Sequence, residues 1–170
     1  GYNGQTSVEF AEWVGNTYDK IYIMEPDYTM QRVAKEYIKL RNIDSVTIIG
    51  KGAYSHSTTL HFTNSIESGS SYIDEMGVNK IETISIDEML DGQRASYIKM
   101  DIEGAEMEAL QGAHDTINKF RPKLAISVYH KEDDLWNIPY YLHEKYPWYK
   151  FYLRHYTTIT TETILYAVEK

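Results

Sequence analysis

The chain has 170 residues, enough for one domain with a sizeable core, and 42% of them are apolar against 25% charged, an ordinary globular balance. A formal net charge of -8 weighs against nucleic acid, whose phosphates demand clustered Lys and Arg. No apolar run approaches the ~20 residues of a membrane span. The absence of cysteine excludes disulfides, thiolate metal sites and a Cys nucleophile.

Residues 1–170 read as a single domain, since no linker, repeat or low-complexity tract divides them. In chain order, the glycine-rich turn Gly1-Tyr2-Asn3-Gly4-Gln5-Thr6 leads into a helix over Ser7 to Asn16. A short strand over Lys20 to Met24 ends at Glu25-Pro26-Asp27. Apolar three-four spacing predicts a helix over Thr29 to Arg41. Val46 to Ile49 is a β-branched strand, broken by Gly50-Lys51-Gly52, and Thr58 to Phe62 alternates as a strand does. Residues 63–79, rich in Ser, Asn and Gly, read as a mobile loop. Ile81 to Ile86 is a strand, after which Asp87 is expected to cap a short helical turn, Asp87 to Leu90. Ala95 to Met100 is a strand that runs into Asp101-Ile102-Glu103-Gly104, and Ala105 to Phe120 reads as one long helix. Lys123 to Tyr129 is a buried strand, Glu132 to Lys145 a helix interrupted at Pro139. Tyr149 to Leu153 and Thr163 to Val168 are late strands whose link is too short for a helix, hence an antiparallel pair at one edge. The alternation of strand and helix predicts a mostly parallel, doubly wound α/β sheet.

In such sheets ligands sit outside the carboxyl ends of the strands. Asp101 and Glu103 stand at one such end, and their spacing of two places them on one side of an extended segment. Three roles compete for them: orienting a cofactor amino group, taking a proton from a substrate hydroxyl, or holding a divalent cation. Glu103 is also placed to cap the following helix. His130 ends the next strand and should emerge on the same rim, with the intrinsic pKa of a general base. The six histidines are not spaced for zinc, so no metal centre is expected. Glu25 follows the glycine turn by close to 20 residues, the spacing at which an acid meets ribose hydroxyls, so an adenosine-type ligand is expected. The segment Asn64 to Gly77 could cover a substrate, with Ser71 and Tyr72 as its contacts.

Several of these segments together resemble the FkbM-type family of S-adenosylmethionine-dependent methyltransferases. They are the turn Gly1 to Thr6, Ile23-Met24-Glu25-Pro26, Gly52-Ala53-Tyr54-Ser55, Ile84-Ser85-Ile86-Asp87-Glu88, the block Ile98 to Glu106, Arg121-Pro122-Lys123 and Val128-Tyr129-His130. The resemblance covers nearly the whole chain in order and is most specific at Lys99-Met100-Asp101-Ile102-Glu103-Gly104-Ala105-Glu106. It implies the class I methyltransferase fold, a Rossmann-like sheet ending in an antiparallel strand pair, and S-adenosylmethionine as cofactor. It also implies methyl transfer to a hydroxyl of a small molecule or glycan, in a cytoplasmic protein. On this resemblance Gly1, Asn3 and Gly4 approach the methionine part of the cofactor. Glu25 takes the ribose, Asp101 serves cofactor and catalysis, His130 is the base, and Glu103, Ser71 and Tyr72 face the acceptor. The family's first strand has no counterpart before Gly1, so a longer natural protein is expected. A nicotinamide-binding oxidoreductase domain and a non-catalytic scaffold of the same fold are the competing readings. The former requires the last two strands to be parallel.

Overall fold

The computed structural model describes residues 1–64, 71–73 and 79–170, with the backbone alone at 62–64, 71–73 and 79. Helix α1 (Gln5–Trp13) starts at Gly4, whose φ of 80° is left-handed, a conformation glycine adopts without steric cost. Strand β1 (Ile21–Met24) pairs in parallel with β2 (Val46–Ile49). Between them runs α2 (Tyr28–Leu40), whose first turn is capped by the Asp27 carboxylate accepting from Met30 N at 2.8 Å. Val8, Ala11, Ile23, Ala34, Ile38 and Ile43 form a small core between these elements.

One of two four-stranded sheets among the described residues has the order β7-β8-β10-β9. Its members are β7 (Tyr97–Met100), β8 (Lys123–Ser127), β9 (Tyr149–His155) and β10 (Thr163–Glu169). β7 and β8 are parallel, whereas β10 is antiparallel to both β8 and β9. The expected antiparallel pair is therefore present, and the parallel ending that the nicotinamide reading requires is not. Helix α6 (Asp134–Lys145) includes Pro139 without ending there. It buries Ile138 and Leu142 beneath this sheet, in the main core with Leu110, Ile117, Leu124 and Ile126.

Three expectations are corrected. Residues 63–79 are not simply a loop: β4 (Thr59–Asn64), β5 (Ser71–Ile73) and β6 (Asn79–Ile84) pair antiparallel, and β3 (Gly52–Ala53) joins β6 in parallel, giving the other four-stranded sheet the order β3-β6-β4-β5. Polar Ser/Asn/Thr composition concealed strands whose cohesion comes from ladder hydrogen bonds. The cover expected of Asn64 to Gly77 lies mostly outside the described residues. Ser71 and Tyr72 lie on β5, and their side chains are not described.

The helix expected over Ala105 to Phe120 is two helices, α4 (Glu106–Gln111) and α5 (His114–Phe120). The break falls at Gly112, where an added Cβ would meet Tyr54 O at 2.1 Å. The chain comes so near its neighbour there that only glycine fits. Asp87 does not cap its own turn. In α3 (Ile86–Leu90) that task falls to Ser85 Oγ, which accepts from Glu88 N at 3.1 Å. Asp87 instead accepts from Asp115 N at 2.9 Å and Thr116 N at 2.8 Å, capping α5 across space.

Candidate active site

The parallel pair β7–β8 delivers two chain segments to one edge. Beyond Met100 the backbone turns sharply, with Glu103 at φ 59° and Gly104 at φ 95°. A left-handed glutamate is a strained conformation of the kind that concentrates at functional sites. It also means that Asp101 and Glu103 do not share a side through extended geometry, contrary to the sequence reading. They meet through a third group, His130. Its Nε2 lies 3.5 Å from Asp101 Oδ1 and 3.9 Å from Glu103 Oε2. Nor does Glu103 cap α4, whose N-cap residue is Ala105 and which has no side-chain cap.

Asp101 is held from several directions. Tyr129 Oη donates to its Oδ1 at 2.9 Å, and Lys99 Nζ lies 3.4 Å from Oδ2. Burial disfavours its charge, but Lys99, these hydrogen bonds and His130 outweigh that cost, and the carboxyl sits below its usual range. The same contact pushes the Tyr129 phenol well up, burial first and Asp101 second. His130 shows the converse balance. Burial lowers its pKa, yet the neighbouring carboxylates of Glu106, Glu103 and Asp101 raise it above the ordinary value.

Glu106 was not singled out in the sequence, although a signal existed. Positions 106, 109, 110 and 113 form one helical stripe, and Ala109, Leu110 and Ala113 on it are fully buried. A glutamate on an apolar stripe is costly unless it is partnered. Here Glu106 is 0% exposed. Its Oε1 accepts from Ile102 N at 2.8 Å, tying the strand tip to the helix. The same oxygen lies 2.9 Å from His130 Nδ1. His130 Nδ1 is nevertheless not aligned for a hydrogen bond, and Glu106 Oε2 has no partner at all.

The glycine turn lies at the end of β1. A Cβ on Gly1 would meet Met24 O at 2.4 Å and Glu25 Cβ at 2.6 Å, so backbone is pressed directly against the strand tip. Glu25 Oε2 accepts a short hydrogen bond from Tyr2 N, and Oε1 accepts from Asp27 N at 2.9 Å. Each oxygen keeps a further lone pair, and the residue is partly exposed. Asn3 Oδ1 accepts from Gln5 N at 3.0 Å, which gives it a local role at the start of α1. Gly4 packs against Ala34. Gly1 sits within electrostatic reach of Glu25, Lys99 and Asp101, so the two clusters share one neighbourhood. Two other histidines have partners elsewhere: His114 Nδ1 lies 3.0 Å from Tyr146 Oη, and His155 pairs with Thr163 at 2.8 Å.

A family model described as the methyltransferase FkbM domain matches residues 3–156. No curated protein matches the chain. Among solved structures, the methyltransferase FkbM from Methylobacillus flagellatus KT superposes with a TM-score of 0.81 at 26% identity, over 98% of this chain and 41% of that one. The chain thus spans less than half the length of that protein. An rRNA methylase from Streptococcus thermophilus gives 0.62 at 14% identity, over 99% of this chain and 81% of its own. A Streptococcus mutans protein in complex with SAH gives 0.53 at 16% identity, over 99% and 83%. The last two likenesses show the fold alone.

Proposed function

The chain belongs to the FkbM methyltransferase domain family, and from that premise we propose that it moves a methyl group from S-adenosylmethionine to a hydroxyl of a small molecule or sugar. The observation that carries the reading is the Asp101–His130 pair, 3.5 Å apart at the tips of two adjacent parallel strands, where open α/β sheets take their ligands.

The residues at the end of β1 fit the cofactor. Glu25 retains a lone pair on each oxygen for the two ribose hydroxyls, and the glycine turn exposes backbone beside it, because the Gly1 position leaves no room for a side chain. Gly1, Asn3 and Gly4 would line the methionine part, and Asp101 would meet its amino group. When bound, S-adenosylmethionine supplies a methyl on a sulfonium, so that an O–C bond forms as the C–S bond breaks. The chain's part is positioning and a destination for the proton. His130 Nε2 faces the rim and receives the hydroxyl proton. Asp101 and Glu103 stabilise the imidazolium that results. Ser71 and Tyr72 remain the proposed acceptor contacts on β5.

The test is calorimetric titration of S-adenosylhomocysteine into the full-length protein and its Glu25→Ala variant. Loss of two charge-assisted hydrogen bonds should weaken binding at least ~10-fold. Equal binding by both would remove Glu25 from the site. No binding by either would favour a scaffold that keeps the fold without turnover.

A further inference from the structure

We infer that Asp101, Glu106 and His130 form a binding site for a divalent cation. Donor atoms of the three, one from each residue, lie within 4.8 Å of one another. An ion with bonds of ~2.1–2.4 Å holds neighbouring donors ~3–3.4 Å apart and opposite donors ~4.2–4.8 Å apart, which brackets the spread of these donors. The donor types are also right. Two carboxylates and an imidazole form a mixed set that suits Mn2+ or Zn2+ better than the all-oxygen cages of Ca2+.

An acidic cluster alone would not carry this inference. The second observation is the state of Glu106. Its carboxylate is 0% exposed, and its Oε2 makes no hydrogen bond. The His130 side chain is only 10% exposed, and its Nδ1 makes none either, although the Glu106 carboxylate lies 2.9 Å away. The oxygen that faces the ring is Oε1, already engaged by Ile102 N, so the second carboxylate oxygen, Oε2, is left buried without a partner beside the ring. A buried charge persists when it is paired or when it coordinates a metal. A water molecule would fill the hydrogen-bonding gap but leave the charge. Lys99 at 3.4 Å from Asp101 and the protonated His130 are the positive groups within reach, against the three carboxylates of Asp101, Glu103 and Glu106. A proton on His130 and an ion on the cluster are alternatives, so ion binding displaces that proton. An ion on the cluster and His130 acting as a base are alternative states of the same rim, so the inference does not depend on methyl transfer.

The experiment is a Mn2+ titration followed by electron paramagnetic resonance on chelator-treated protein, with Glu106→Gln, Asp101→Asn and His130→Gln compared to the surface control Glu36→Gln. The expected result is one saturable site. Its affinity should fall at least ~10-fold in each of the first three variants and stay unchanged in the control. Nitrogen hyperfine coupling should be present in the parent and lost in His130→Gln. Circular dichroism of each variant separates a lost site from a lost fold, and Glu106→Gln keeps the oxygen that accepts from Ile102 N. Absence of saturable binding, or binding equal in all variants, overturns the site. S-adenosylhomocysteine titrated into the same proteins reads the methyltransferase proposal separately, so either can fail while the other stands.

Discussion

At the scale of single residues, His130 shows how a site can reverse the default effect of burial. Desolvation alone would make the imidazole harder to protonate, yet the carboxylates of Glu106, Glu103 and Asp101 prevail and its pKa stands above the ordinary histidine value. Because the folded value is raised, the stability it contributes is fully present below the unfolded pKa of ~6.5 and is lost as pH rises through the folded value. In metal-free buffer, a proton NMR titration should place the His130 midpoint above the ~6.5 of an unperturbed imidazole. A midpoint below ~6.5 would mean that burial dominates and that the carboxylates are themselves protonated or screened. Asp101, His130 and Glu25 are proposed as site residues from sequence because each follows an apolar strand. Glu106 is passed over because a run of Glu, Met, Glu reads as an ordinary solvated first helical turn, although its place on the stripe with Ala109, Leu110 and Ala113 points inward.

At the scale of elements, local propensity was reliable where an element is stabilised by its own sequence. Helix α2 begins after its own Asp27 cap, and the paired late strands follow from a link too short for a helix. It failed where an element depends on a distant partner. Asp87 sits beside a plausible helical turn, but its two oxygens cap α5, more than twenty residues away. Truncating it to Ala should cost ~1–2 kcal/mol, since two end-of-helix donors lose their acceptor, and thermal denaturation should read a lowered Tm. An unchanged Tm would mean that water replaces the cap without loss. The same dependence hides the break at Gly112. Residues on both sides are good helix formers, and the interruption is imposed by the backbone of Tyr54 and Ser55 pressed against the glycine.

At the scale of the whole molecule, cohesion is uneven. The main core gathers α3 to α6 around the β7-β8-β10-β9 sheet, whereas β1 and β2 form a two-stranded ladder over a smaller core. No pairing links β1 to β7 among the described residues. Side chains connect the two halves instead: Tyr22 Oη donates to Gln93 at 2.8 Å, and Phe10 stacks on Tyr97 with ring centroids 5.2 Å apart. A two-stranded ladder has less burial to resist local opening. Native-state hydrogen exchange should therefore find the amides of Tyr22 and Ile23 less protected than those of Ile126 and Leu165, which lie in the β7-β8-β10-β9 sheet. Equal protection would show that the halves open as one cooperative unit.

The sequence by itself determined the α/β class, the order of most elements, the family and the strand-tip acids. These rest on periodicity, turn chemistry and local motif, all of which are carried by neighbouring residues. The tertiary structure decided what depends on residues far apart in the chain: the strands inside a polar stretch, the division of a long helix, and the meeting of Asp101, Glu106 and His130 at one point. Charge burial and donor convergence are properties of packing. No single segment encodes them, because each segment supplies only one of the groups that must meet.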